Sequence, residues 1–277
     1  MSEAIARADL WLARESPRPG VVVVGVPWAE ESPGVALAPM AMRDRLSRFF
    51  TYHSERGTDF GHIAVSDAGN WPVSQLALDE LHDHLVERSA GLPEAGITLF
   101  VGGEEAITHS LLASAGDATK GLIRFSCRPQ ESLANLAGYQ VFVIGVHTFA
   151  AAAEAVSQDA GAGIVAITND QIETEGVRMT VDRALGKLSM VGTIHVSVDM
   201  NALDRIHAPG SATSLPGGLT IRQLSEAVRR CAANGKVRSM DFVGADFERD
   251  TSGLTTDALC HLFLSAVTGY AERDSSS

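Results

Sequence analysis

Thr193-Ile-His-Val-Ser-Val-Asp-Met-Asn-Ala-Leu-Asp204, continued by Ala208-Pro-Gly-Ser-Ala-Thr-Ser-Leu-Pro-Gly-Gly-Leu-Thr220, is the stretch whose reading decides the fold. Its first part, Thr193–Val198, is a short, β-branched and apolar run of the kind that forms a buried strand. Polar residues then end the run, and two prolines and three glycines between Ala208 and Gly218 enforce an irregular loop. Thr220, with Gln223 three residues on, reads as a capping box opening a helix over Thr220–Ala233 with Leu224, Ala227 and Val228 on its apolar face. A strand, a loop and an amphipathic helix in that order make half of a βαβ unit, so a parallel sheet is expected.

The same alternation extends outward over the chain. Strands are expected at Gly20–Gly25, His62–Ser66, Ile97–Val101, Gly121–Ser126, Val141–Gly145, Gly163–Thr168, Thr193–Val198 and Val237–Val243. Helices are expected at Ala38–Arg48, Ser74–Ala90, Glu105–Ala115, Phe149–Gln158, Thr180–Leu188, Thr220–Ala233 and Thr255–Glu272. The fold class is α/β, with a central, mostly parallel sheet of about eight strands. Ligands of open α/β sheets bind beyond the carboxyl ends of the strands. That directs attention to Gly25–Trp28, Gly102–Glu105, Ser126–Gln130 and Asp199–Asp204.

With 277 residues the chain can bury a sizeable core as a single domain over residues 1–277, with a frayed tail at 273–277. A formal net charge of −12 disfavours nonspecific binding to nucleic acid or an anionic membrane, which requires clustered Lys and Arg. No apolar run reaches transmembrane length and no apolar leader is present. Cys127, Cys231 and Cys260 are too dispersed for a thiolate metal site or a disulfide framework, which fits a reducing, cytoplasmic setting.

Ser197-Val-Asp-Met-Asn-Ala-Leu-Asp204 and Ala208–Thr220 resemble the ureohydrolase (arginase/agmatinase) signature SxDxDxxDP followed by APGTGTPEPGGLT. Gly25-Val-Pro-Trp28, Pro33-Gly34 and Ala38–Arg43 are similar to the family's GxPFD, RPG and GPxAIR elements, and Asp67-Ala-Gly69 to its DxGD. Gly102-Gly-Glu-Glu-Ala-Ile-Thr108 falls where that family has GGDHSIT, and Asp241–Asp250 with Gly253-Leu-Thr255 resembles DVVEVNPxxD, GxT. The resemblance implies a three-layer α-β-α arginase-like fold. It also implies two divalent ions that activate a water against a guanidinium carbon.

Carried over residue by residue, the family's six metal-holding positions become Glu105, Ser126, Arg128, Gln130, Asp199 and Asn201. Only Glu105 and Asp199 keep a carboxylate. Arg128 is permanently charged and opposes a metal, so it is expected to replace the ion by pairing with both acids. Gly244 stands where the family has a substrate-binding Glu. The eighteen residues between Ser126 and Gly145 leave no room for the family's HGxxF loop. These departures imply no catalytic, cofactor-binding or metal residues here. They cast the chain as the non-catalytic subunit of a hetero-hexameric or hetero-trimeric, metformin-hydrolase-like assembly, acting on a guanidine or biguanide C–N bond. An active paralogous subunit would then carry the nickel or manganese. The alternatives are a free-standing ligand-binding protein, or an active hydrolase with an atypical metal site.

Taken one by one, the same residues have plainer readings. Asp199 can be a structural acid at a strand end, and Asp204 can organise a turn. Glu104 and Glu105 can serve the positive end of a helix. His109, four residues after Glu105, could join Glu105 and Asp199 around a metal. His147 and His207 read as turn residues near the mouth, and Cys127 as a buried thiol.

Overall fold

The computed structural model describes residues 7–114, 119–128, 138–147, 149, 153 and 163–273. One eight-stranded sheet runs through them: β1 (Val21–Gly25), β4 (Val65–Asn70), β5 (Ile97–Val101), β6 (Thr119–Phe125), β7 (Gln140–Val146), β8 (Val165–Thr168), β9 (Thr193–Asp199) and β10 (Val237–Val243). Their order across the sheet is β4-β1-β5-β10-β9-β6-β7-β8, and each neighbouring pair is parallel. The expected α/β fold with a central parallel sheet is therefore the observed one. A two-residue hairpin, β2 (Tyr52–His53) with β3 (Thr58–Asp59), stands apart from it.

Helices flank both faces. α2 (Ala38–Arg45), α6 (Val177–Lys187), α7 (Ile221–Ala233) and α8 (Leu254–Ala271) form one layer, and α3 (Leu78–Ala90) packs with α4 (Ala106–Ser114) in the other. Short helices α1 (Ala8–Leu12) and α5 (Asn169–Glu175) complete the described set. Strand alternation feeds the two cores. Val21 and Val23 point into the larger core under α2, α7 and α8, while Val22 and Val24 point into the smaller one with Trp28, Leu81 and Ile107. The capping box is present: the Gln223 amide donates to Thr220 Oγ1 at 3.2 Å, and Gln223 Oε1 accepts from the Thr220 amide at 2.9 Å. Leu224, Ala227 and Val228 are fully buried beneath it.

Two differences from expectation have clear physical reasons. β4 lies at Val65–Asn70 rather than His62–Ser66 because it is an edge strand whose outer residues are polar. Arg43 holds it by two 2.7 Å bonds to the Asp67 carboxylate and one of 2.6 Å to Asn70 Oδ1. Arg273 belongs to the packed body rather than to a frayed tail, since its guanidinium donates to the carbonyls of Ala232, Gly96 and Val237. The helix expected at Phe149–Gln158 falls almost wholly outside the described residues, as do residues 274–277.

Candidate active site

The middle of the sheet breaks the apolar rule on one face. In β9 the even residues Ile194, Val196 and Val198 enter the large core, so His195, Ser197 and Asp199 face α4. Met240 and Phe242 likewise turn Asp241 the same way, and Ile123 and Phe125 turn Arg124 and Ser126. Arg124, Ser126, His195, Ser197, Asp199 and Asp241 are all nine-tenths or more buried. A buried polar stripe of this size persists only if its members satisfy one another.

Most of their polar atoms are paired, in two groups. Lower in the sheet, Asp241 accepts from Ser197 Oγ at 2.8 Å and lies 2.8 Å from His195 Nε2, while His195 Nδ1 meets Ser239 Oγ at 2.7 Å. Thr108 of α4 closes this group on Ser197 at 3.1 Å. At the carboxyl end, Asp199 Oδ2 accepts from Ser126 Oγ at 3.0 Å, and Oδ1 accepts from the Asn201 amide and Nδ2 at 2.9 and 2.8 Å. Asn201 Oδ1 in turn accepts from Ser211 Oγ at 2.7 Å and the Thr213 amide at 2.9 Å. An amide at 201 can donate to Asp199 and accept from the loop at once, which a second carboxylate could not.

The guanidinium that enters this centre is Arg124, not Arg128. Arg124 Nη2 donates to Glu105 Oε2 at 2.7 Å and lies 3.5 Å from Asp199 Oδ2, with its side chain wholly buried. Arg128 is only half-buried and forms no ion pair with either acid. The expectation that Arg128 replaces a metal is thus corrected, because position 124 shares the face of Ser126 in the strand while Arg128 lies beyond the strand end. Gln130 lies outside the described residues. Glu104 does more than favour a helix dipole: its Oε1 accepts from the successive amides of Glu30, Glu31 and Ser32 at 3.0, 2.8 and 2.8 Å, clamping that loop. Gly244 adopts φ +80°, and a Cβ there would sit 2.9 Å from Asp199 Oδ1, so a side chain is both strained and crowded.

Cys127 and His147 follow neighbouring strands, joined by the His147 amide donating to the Cys127 carbonyl at 3.2 Å. Burial, followed by the charge of Asp199, pushes the Cys127 thiol up to about 12. Burial raises Cys260 to about 12 and Cys231 further still. None of the three is a nucleophile at neutral pH. In the folded chain no thiol is expected to react with a disulfide reagent at pH 8, all three reacting once denaturant unfolds it. Rapid native labelling of Cys127 would contradict this burial. His147 is 8% exposed, with Nδ1 3.1 Å from the Gly145 carbonyl and Nε2 left without a hydrogen-bond partner.

The Arginase family model matches residues 19–127 and 128–269. The chain is 26% identical to the formimidoylglutamase of Halalkalibacterium halodurans, over 90% of this chain and 87% of that protein. In fold it is similar to the formimidoylglutamase of Bacillus subtilis, with a TM-score of 0.86 at 22% identity over 98% and 93% of the two chains. It is also similar to a Trypanosoma cruzi formiminoglutamase with Mn2+2, at TM-score 0.82 and 16% identity over 96% and 98%.

A manganese pair does not fit the residues present here. Among the described residues no three His, Cys, Asp or Glu side chains cluster as a metal site, which also removes the Glu105–His109–Asp199 arrangement. Glu105 and Asp199 already share a buried guanidinium. The comparisons overturn the expected non-catalytic subunit of a metformin-hydrolase-like hetero-oligomer, since the relatives matched along nearly the whole chain include formimidoylglutamases, which are hydrolases in their own right. The physical reason is that losing metal ligands does not by itself empty the site. Glu105, Ser126, Asp199 and Asn201 are instead re-bonded into an ordered one.

Proposed function

We propose that this chain, which belongs to the arginase family, is a hydrolase of a carbon–nitrogen bond in a small compound carrying a formimidoyl or guanidino group. The formimidoylglutamase relative supports the reaction class. The observation that carries the reading to particular atoms is the state of His147. A carbonyl can only accept, so the Gly145 oxygen fixes the hydrogen on Nδ1 and leaves the lone pair on Nε2, buried and unused.

An imidazole held in one tautomer with a free ring nitrogen can act as a general base. In this reading, Nε2 takes a proton from water as its oxygen bonds to the amidinium carbon. The proton then passes to the departing nitrogen as the C–N bond breaks. Glu105 and Asp199 outnumber Arg124 by one charge, which favours a cationic substrate group at the strand ends. No helix among the described residues is long and apolar enough to cross a membrane. Three unpaired, buried thiols support a reducing, cytoplasmic setting.

The test is turnover by the purified full chain, freed of metal with EDTA. N-formimidoylglutamate and a panel of linear guanidino compounds are supplied, and release of formamide, urea or ammonia is followed. Turnover above the uncatalysed rate on one of them supports the reading. Absence of turnover on all, with and without added manganese, removes it.

A further inference from the structure

We infer that Arg124 is a built-in cation that takes the place of a divalent ion at the carboxyl ends of β6 and β9, so that this chain binds no catalytic metal. The inference concerns ion occupancy and stands apart from the proposed hydrolysis. Arg124 extends from the central strand β6, two residues before Ser126 and on its face. Its Nη2 is 2.7 Å from Glu105 Oε2 and 3.5 Å from Asp199 Oδ2, so a single nitrogen serves both acids. Its Nε and Nη1 are buried with no partner.

A fully buried guanidinium with two unbonded nitrogens is costly by itself. It remains because two carboxylates need a counter-charge there, and that need is the one a metal meets elsewhere. An ion entering now would have to separate Glu105 from Arg124 and leave the guanidinium buried and unpaired. The remaining donors, the Ser126 hydroxyl and the Asn201 amide, are already engaged with Asp199. They are weak ligands beside carboxylate and imidazole. Charge and occupied space both oppose the ion while Arg124 is in place.

The experiment is a manganese titration of the EDTA-treated, desalted full chain, following free Mn2+ by electron paramagnetic resonance and Tm in parallel. Wild type is expected to leave the manganese signal free and Tm unmoved. Arg124→Ala should melt lower and regain about 3–6 °C at a manganese concentration about tenfold above its Kd. Arg124→Lys, which keeps the charge, should fold and ignore manganese as wild type does, so the test survives if Arg124→Ala does not fold. Near-stoichiometric manganese on wild type, or manganese binding by Arg124→Lys, would overturn the inference.

Discussion

Replacing His147 by Gln is expected to lower kcat about 10²–10⁴-fold on whichever C–N substrate the chain turns over, with little change in Tm. The glutamine amide can still donate to the Gly145 carbonyl, so the local bond at 3.1 Å need not be lost. What it cannot supply is a basic lone pair at the Nε2 position, which in the native chain has no other partner. A purely structural His147 would show its loss in stability instead. The split between kcat and Tm separates the two. Activity of the native chain should also survive EDTA. A variant retaining more than about a tenth of the wild-type kcat would leave His147 without a catalytic role.

The parts of the fold that the sequence announces are those with local chemistry of their own. Thr193–Val198 and Thr220–Ala233 were legible because a β-branched run and a Thr220/Gln223 box each act over a few residues, and the structure places both close to those bounds. The helix at Asn169–Glu175 carries the same device, Thr168 with Gln171, and could have been found by the same signal. The β2–β3 hairpin could not, since two residues per strand are too few for an alternation to show. At the site, the positions of Asp199, Asn201, Ser126 and Glu105 came from the family resemblance, and they do adjoin one another. Arg124 lies inside the strand segment Gly121-Leu-Ile-Arg-Phe-Ser126, outside the loop motifs that carry the family resemblance. The signal was its charge. A lone guanidinium in phase with Ser126, amid otherwise apolar neighbours, has to meet a buried acid, and tertiary packing supplies two. His147 was read as a turn residue because its tautomer depends on a carbonyl orientation that sequence does not encode.

Asp241→Ala should cost about 3–5 kcal/mol, lowering Tm by roughly 10 °C, the largest stability effect expected of a single truncation in the polar stripe. Asp241 is fully buried on β10, directly across from Ser197 of β9 in the sheet register. Its two oxygens take the Ser197 hydroxyl and His195 Nε2, each at 2.8 Å. Alanine removes both acceptors at once and leaves a small void, while His195, itself fully buried, has no water to turn to. Ser197 suffers less, because Thr108 remains 3.1 Å away. His195 therefore carries most of the loss. Asp241→Asn separates charge from hydrogen bonding, because the amide keeps one acceptor oxygen at the same place and should cost clearly less than alanine. Ser239→Ala, which removes only the 2.7 Å contact at His195 Nδ1, should cost about 1 kcal/mol. Chemical denaturation of the three variants gives the ranking. If Asp241→Ala came within about 1 kcal/mol of wild type, the stripe would be held by packing with α4 rather than by its hydrogen bonds, and the acid at 241 would need another explanation. If the ranking holds, the network is the rigid floor on which β9 and β10 present Asp199 and Gly244, and its loss should lower activity only in proportion to the chain unfolded.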